Sequence, residues 1–447
     1  MRFPSDGVFN NMDSVNDLML HHVMHALRSL VLLGLLTGQL HAAGAPPGAA
    51  LTNAATALNG LGLDLLRQVA ITNGNTLLSP YSIQLALGMT YAGASGRTLA
   101  DMTRVLHYPA RETDTHAALA GLQRTLDEIH RNSVEQATRA KQWGGTSEPI
   151  VVTTANRLYG QQGYAFQPAY LDFVKTTYGA PLEALDFRRQ PDAAVGVINR
   201  WVAERTRDRI RDLIPRGMLP SDTRLVLVNA VYLKAPWGVP FPEHATSPQP
   251  FRLADGTTVR VPTLSREGHL GYRRQEGYQV VTVPYGNDEL EFVVLLPDRP
   301  DGLPALERQL TPELLRSAGG AEGGLVRLYL PKLKLQPPVF RLGKALRALG
   351  MGSAFDDPAG SADFRRMVSL PAAQPLAISE VVHQTFLELD EKGTEAAAAT
   401  AVMMAPSSAV MAPPKPIEVR VDRPFLFTIQ ERTSGACLFL GRVVDPR

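Results

Sequence analysis

Apolar residues recur every three to four positions through much of the first half of the chain, and every second position through much of the second. The helical spacing predicts helices over Leu51–Val69, Tyr81–Met89, Asp114–Ile129, Ala169–Thr177 and Pro191–Leu213. Ser79-Pro80 opens the second of these, with serine placed to cap the first turn and proline to start it. Strand patterns lie at Ile150–Tyr159 and then at Leu225–Leu233, Tyr278–Pro284, Glu291–Leu296 and Leu325–Leu333. They continue at Ala377–Asp390, Ile417–Val421, Phe425–Glu431 and Ala436–Val444, with helices interposed at Ala305–Arg316 and Leu342–Leu349. Asn132–Glu148 is polar and contains glycine, so it reads as a surface excursion. Helices first and strands later in one body imply an α+β architecture.

One segment fits neither period cleanly. Glu391-Lys392-Gly393-Thr394-Glu395 leads into four alanines and Thr400. The alanines alone would suit a helix. The following stretch, Ala401 to Pro416, has no helical repeat and is broken by prolines. Read as a strand, the segment puts Thr394, Ala396, Ala398, Thr400, Val402 and Met404 on one face. That face is small and uncharged, as burial between two other strands would require, because an unpaired buried charge is costly. Glu395 falls on the other face, where a charge can stay wet. Gly393 is the expected pivot, free of a Cβ.

Composition narrows the organisation. The 447 residues contain no long Gly/Ser linker and no internal repeat, so residues 46–447 read as one domain behind an extension at 1–45. A net charge of +2 gives no reason to expect nucleic-acid binding. Cys437 is the single cysteine, so no intramolecular disulfide forms, and its apolar neighbours make it a buried structural thiol. Arg28, the apolar run Ser29–Leu36 and the small residues up to Ala45 have the zones of a secretory signal peptide. Cleavage falls near Ala42–Ala45, and the apolar run is too short for a membrane anchor. The acidic stretch before Met24 breaks the pattern, which makes Met24 the expected start. A tail on a cytoplasmic protein is the alternative.

No hydrolase, metalloprotease, phosphate-loop or dinucleotide motif occurs, and Gly350-Met351-Gly352-Ser353 lacks the closing glycine of such a pattern. The chain therefore reads as a non-enzyme. His21, His22 and His25 lie in the doubtful N-terminus, and no metal or cofactor is assigned. Arg200, Arg205, Arg207, Arg209 and Arg211 interleave with Glu204, Asp208 and Asp212, which reads as a solvated helix face. Arg124, Arg131, Arg139 and Lys141 are too sparse for a polyanion site.

Several collinear motifs carry a family resemblance. Leu78-Ser79-Pro80-Tyr81-Ser82-Ile83, Val152-Thr153-Thr154-Ala155-Asn156 and Leu227 through Trp237 are three of them. Val382 through Glu391, Asp422-Arg423-Pro424-Phe425 and Leu438 through Val443 are the others. With the alanine segment they resemble inhibitory serpins, of the type found in bacteria, over about Thr56 to Arg447. The resemblance implies a serpin fold, with three β-sheets, eight to nine helices and an exposed reactive-centre loop at about 391–416. It implies a suicide-substrate inhibitor that forms a covalent acyl-enzyme with a serine protease and traps it by inserting the cleaved loop into the large sheet.

The same resemblance assigns residues. Glu391, Gly393, Thr394, Glu395, Ala396, Ala397, Ala398, Ala399 and Thr400 form the hinge. Ser79, Ser82, Asn229 and His383 form the shutter beneath the insertion gap. Trp237 and Lys332 belong to the breach at the sheet top, where Lys332 pairs with Glu391. Counting from Glu391 places the reactive bond at Ser407–Ser408, with Met404, Ala405 and Ala409 as alternatives because the distal half of the loop is long. No Arg or Lys lies between Lys392 and Lys415, so elastase-like or subtilisin-like targets fit better than trypsin-like ones. A secreted or periplasmic monomer with no nucleic-acid or membrane partner is expected. A non-inhibitory serpin-fold binding or chaperone-like protein is the alternative.

Overall fold

The computed structural model describes residues 47–70, 74–109, 111–143, 147–369, 376–395 and 415–447. Its first helices are α1 (Pro47–Val69), α2 (Pro80–Gly93), α3 (Gly96–Val105) and α4 (Glu112–Gln142). They are followed by α5 (Pro168–Tyr178), α6 (Pro191–Arg205), α7 (Leu303–Gln309), α8 (Pro312–Arg316) and α9 (Gly343–Ala348). In α2 the Ser79 hydroxyl accepts the Ser82 N–H and Pro80 occupies the first turn. Nearly every residue of this helix is buried, which explains why its sequence shows no polar stripe.

Three helices depart from the sequence reading. Helix α4 runs on to Gln142, through much of the expected surface excursion. Ser133 and Ala137 extend its buried face beyond Ile129, and Glu135–Arg139 pair along the solvent side. Helix α6 stops at Arg205 rather than Leu213. Thr206 accepts the Ile210 N–H through its own hydroxyl, and Arg207 and Asp208 take left-handed backbone conformations that no helix tolerates. The single helix expected at Ala305–Arg316 divides in two, because Thr311 caps a new start at Pro312. Helix α3 was not legible as a separate element.

The strands in the first half of the β-structure are β1 (Thr76–Leu78), β2 (Val151–Gln161), β3 (Glu183–Leu185) and β4 (Leu225–Pro236). Next come β5 (Ser247–Arg252), β6 (Thr258–Gln275), β7 (Tyr278–Pro284), β8 (Leu290–Pro297) and β9 (Gly323–Pro331). Short strands β10 (Leu333–Leu335), β11 (Phe340–Arg341), β12 (Glu380–Thr385), β13 (Leu387–Leu389) and β14 (Gly393–Thr394) follow. The chain closes with β15 (Ile417–Arg420), β16 (Phe425–Glu431) and β17 (Cys437–Val443). The β5–β6 hairpin escapes sequence reading because prolines and exposed polar residues dilute its alternation.

Hydrogen bonding runs continuously through nine strands in the order β1-β17-β16-β8-β7-β6-β9-β15, with β5 on β6. The two smaller sheets of the expected three are joined here by the 18-residue β6, which pairs with β5, β9 and β7 along its length. The large sheet has the order β10-β13-β14-β4-β12-β11, with β2 on β4 and β3 on β2. Both faces of β4 are covered, so the strand is buried along almost its whole length and is apolar apart from Asn229 and Lys234 near its end. Leu225, Leu227, Val231 and Leu233 face the main core, whereas Val226, Val228 and Ala230 face a second cluster under α6. No helix among the described residues is long and apolar enough to cross a membrane.

Candidate functional site

The seam between β4 and its neighbour carries the candidate site. Strand β12 pairs parallel with β4 from Glu380↔Val226 to Thr385↔Val231. Above that level the chain breaks at Phe386 and continues as β13, which no longer touches β4 directly. Between them lies β14, antiparallel to both: Gly393 pairs with Pro236, and Thr394 pairs with Ala235 on one side and Leu389 on the other. The seam is thus closed below and parted above by two residues.

A tight reversal places β14 there. Asp390 accepts the Lys392 and Gly393 N–H groups at 2.8 and 3.3 Å, and its own N–H donates to the Gly393 carbonyl at 2.9 Å. Burial pushes the Asp390 carboxyl above its ordinary range against those two donors. Gly393 has a φ of 150°, and a Cβ there would lie 2.2 Å from the Ala235 carbonyl oxygen, so only glycine fits. The Trp237 indole N–H donates to the Asp390 carbonyl at 2.9 Å, and its backbone N–H donates to Lys392 at the same distance. Its ring stacks on Tyr285 at 4.7 Å, and the Tyr285 hydroxyl lies 2.6 Å from Thr394 Oγ1.

Glu391 is largely buried beside this turn. Lys332 Nζ lies 2.8 Å from its carboxylate and the Thr246 hydroxyl donates to it at 2.7 Å. Burial raises the Glu391 carboxyl, but the hydrogen bonds and the Lys332 charge outweigh it and hold the group below its ordinary range.

Glu395 lies where the sequence reading needs correction. It does face away from Thr394, yet its side chain is only 10% exposed and pairs with Arg209. The segment after α6 overlies this face, so the charge is neutralised by an arginine rather than by water. The charged stretch from Arg200 to Asp212 is solvated as expected but not helical throughout: beyond Thr206 it is a turn, with Arg207 over the Tyr232 ring and Arg209 over Phe386.

Lower on the seam, on the core-facing side, polar residues converge. Asn229 Oδ1 meets His383 Nδ1, and Asn229 Nδ2 donates to the Ser82 hydroxyl and, at 2.6 Å, to Asn156 Oδ1. The Ser79 N–H donates to His383 Nε2 at 3.1 Å. With one ring nitrogen accepting and the other facing a carbonyl oxygen, the imidazole is neutral with its proton on Nδ1. Burial agrees, lowering the His383 pKa to about 3. Ser79, Ser82, Asn229 and His383 are all fully buried, and each of their side chains is hydrogen-bonded within this cluster or to α2.

The structure therefore brings Ser79, Ser82, Asn229 and His383 together, and separately gathers Trp237, Lys332, Glu391, Gly393 and Thr394. Ala396, Ala397, Ala398, Ala399, Thr400, Met404, Ala405, Ser407, Ser408 and Ala409 lie outside the described residues. Sequence reasoning missed Asn156, Tyr285, Asp390, Thr246 and Arg209 as members of these clusters. Asn156 had a signal: it is a polar residue within a quoted strand motif and pairs directly with Asn229. Among the described residues, no group of three or more His, Cys, Asp or Glu side chains could hold a metal ion.

A large sheet parted at its top by the chain's own segment, over a buried polar cluster, is serpin architecture. The profile of the serpin family, described as serine protease inhibitor, matches residues 56–446, and the chain belongs to that family. It is 34% identical over 397 residues to an uncharacterized serpin-like protein of Thermococcus kodakarensis, covering 88% of this chain and 85% of the relative. The leukocyte elastase inhibitor of Homo sapiens is 34% identical over 395 residues, covering 86% and 97%. Among solved structures, the Arabidopsis serpin AtSerpin1 in its native stressed conformation matches with a TM-score of 0.75 at 25% identity. That match covers 90% of this chain and all of the other.

Proposed function

We propose that this serpin is a suicide-substrate inhibitor of serine proteases, directed at elastase-like or subtilisin-like enzymes. The observation that carries the reading is β14 itself. Its register, stepped one residue at a time, would bring Ala397 level with Tyr232 and Phe386, and Thr400 level with Asn229 and His383. The core-facing positions along that path are Ala396, Ala398 and Thr400, small enough to enter a parted seam. The polar cluster gives the parting strands hydrogen-bond partners to exchange, where an apolar seal would resist.

The chemistry follows from ordinary acyl transfer. The protease serine Oγ attacks the Ser407 carbonyl carbon, the bond to the Ser408 nitrogen breaks, and the Ser408 amine departs with a proton supplied by the protease histidine. An ester then joins Ser407 to the enzyme; Met404, Ala405 and Ala409 are the alternative acylated residues. Insertion of the freed segment over the 13 steps from Thr394 to Ser407 moves the ester about 43 Å at strand rise. Pulling the enzyme against the inhibitor body distorts its oxyanion hole, on which attack by water depends. Hydrolysis stalls and the ester persists.

The signal-like segment before Ala45 supports export to the periplasm or the exterior, and a net charge of +2 gives no support for a nucleic-acid partner. Incubation with elastase-like and subtilisin-like proteases, followed by a denaturing gel and intact mass, tests the function. A covalent complex, together with a released fragment beginning at Ser408, is expected. Cleavage with no complex and no gain in thermal stability would instead indicate the non-inhibitory, serpin-fold binding protein.

A further inference from the structure

The turn after α6 carries an arrangement that neither the family nor the proposed chemistry requires. Thr206 is fully buried and ties the turn to the helix: its hydroxyl donates to the Val202 carbonyl at 2.8 Å and accepts the Ile210 N–H at 3.1 Å. Ile210, Leu213 and Ile214 anchor the next residues in the cluster on the outer face of the sheet. Between these anchors, Arg207 and Asp208 have φ values of 51° and 60°. Two successive left-handed residues without glycine cost energy, and here they aim two guanidinium groups at the seam.

The two arginines land on opposite banks. Arg207 lies 5.3 Å from the ring centre of Tyr232, on β4. Arg209 lies 5.2 Å from the ring centre of Phe386, at the break between β12 and β13. Tyr232 and Phe386 occupy the same level, one step above the last β4–β12 pair. Arg209 also pairs with Glu395, whose N–H donates to the Glu388 carbonyl at 2.8 Å and whose φ is 50°. A residue in that conformation cannot continue a strand. Glu395 is therefore held as the stop at the end of β14.

We propose that Arg207 and Arg209 are positioning residues that clasp the seam and halt β14 at Glu395, setting how readily the large sheet opens. This rests on the inhibitory reading only for its consequence, the rate of loop insertion. The clasp itself is a property of the uncut protein. For β14 to lengthen, Glu395 must leave Arg209 and become extended, and the seam must part between Tyr232 and Phe386.

Amide hydrogen exchange on the intact, uncut protein reads this directly, because local opening governs exchange. Arg209→Met and Glu395→Gln should each raise exchange at Val231–Lys234 and Phe386–Leu389 by about fivefold to tenfold, consistent with the loss of one partly buried charged contact. Their effects should not add, since both remove the same pair. Protection in β16 and β17 should stay unchanged, which shows that the variants fold. Arg200→Met, on the exposed face of α6 away from the seam, should match the parent. Parent-like seam exchange in both Arg209→Met and Glu395→Gln would overturn the clasp. Faster seam exchange without a covalent complex on any protease would leave the clasp standing and overturn the inhibitory reading instead.

Discussion

Thr394 Oγ1 lies 2.6 Å from the Tyr285 hydroxyl, so the last residue of β14 is hydrogen-bonded into the core beneath Trp237. Both residues are buried, Thr394 at 1% exposure. The contact holds Thr394 in the sheet, next to the stop at Glu395.

Tyr285→Phe keeps the ring under Trp237 and removes only that hydroxyl. Leaving a buried threonine short of its partner costs about 1–2 kcal/mol. The expected outcome is a lower denaturant midpoint and faster amide exchange at Thr394. A midpoint equal to that of the parent would show that the contact adds nothing.

Thr394→Arg places a cation at a position with almost no exposure, against the Tyr285 hydroxyl. Burying it unpaired costs several kcal/mol, so β14 should leave the seam and loop insertion should slow. Proteases would then cleave the loop and depart. The stoichiometry of inhibition, titrated against an elastase-like or subtilisin-like enzyme, should rise at least tenfold; trapping at the parent's stoichiometry would sink the insertion argument.

His383 makes stability depend on pH. An imidazole ordinarily titrates near 6.5, whereas burial lowers this one to about 3 in the folded chain. Below pH 6.5 the unfolded chain takes up a proton that the folded chain refuses, so this contribution is complete above 6.5 and lost progressively towards 3. Urea midpoints recorded from pH 7 to pH 4 should fall less steeply in His383→Gln than in the parent, although the variant starts lower because Ser79 and Asn229 lose their partner. Parallel profiles would rule out this assignment.

Cys437 is fully buried in β17, and burial pushes its thiol well above the ordinary value. Thiolate is scarce and inaccessible, so a disulfide reagent should label the native protein at least a hundredfold more slowly than the urea-unfolded chain. Rapid labelling without denaturant would mean that β17 opens locally.

Much of the fold was readable because its strands obey simple burial rules. The run Leu225–Leu233 needs both faces covered, and the structure covers both. The hairpin of β5 and β6 was not readable, since its prolines and exposed polar residues answer to solvent on one side. The length of α4 was also hidden: small buried residues such as Ser133 and Ala137 carry little apolar signal. For α6 the error ran the other way, because charge alternation looked helical where Arg207 and Asp208 turn left-handed.

The amino-acid sequence by itself determined the family and the need for glycine at 393, since both depend on residue type and spacing along the chain. Only the tertiary structure decided that Thr394 meets Tyr285, that Asn156 joins Asn229 and His383, and that Glu395 is held by Arg209. These contacts link positions tens to hundreds of residues apart. Whether a polar group is wet or paired depends on what the fold lays over it, and local pattern carries no record of that.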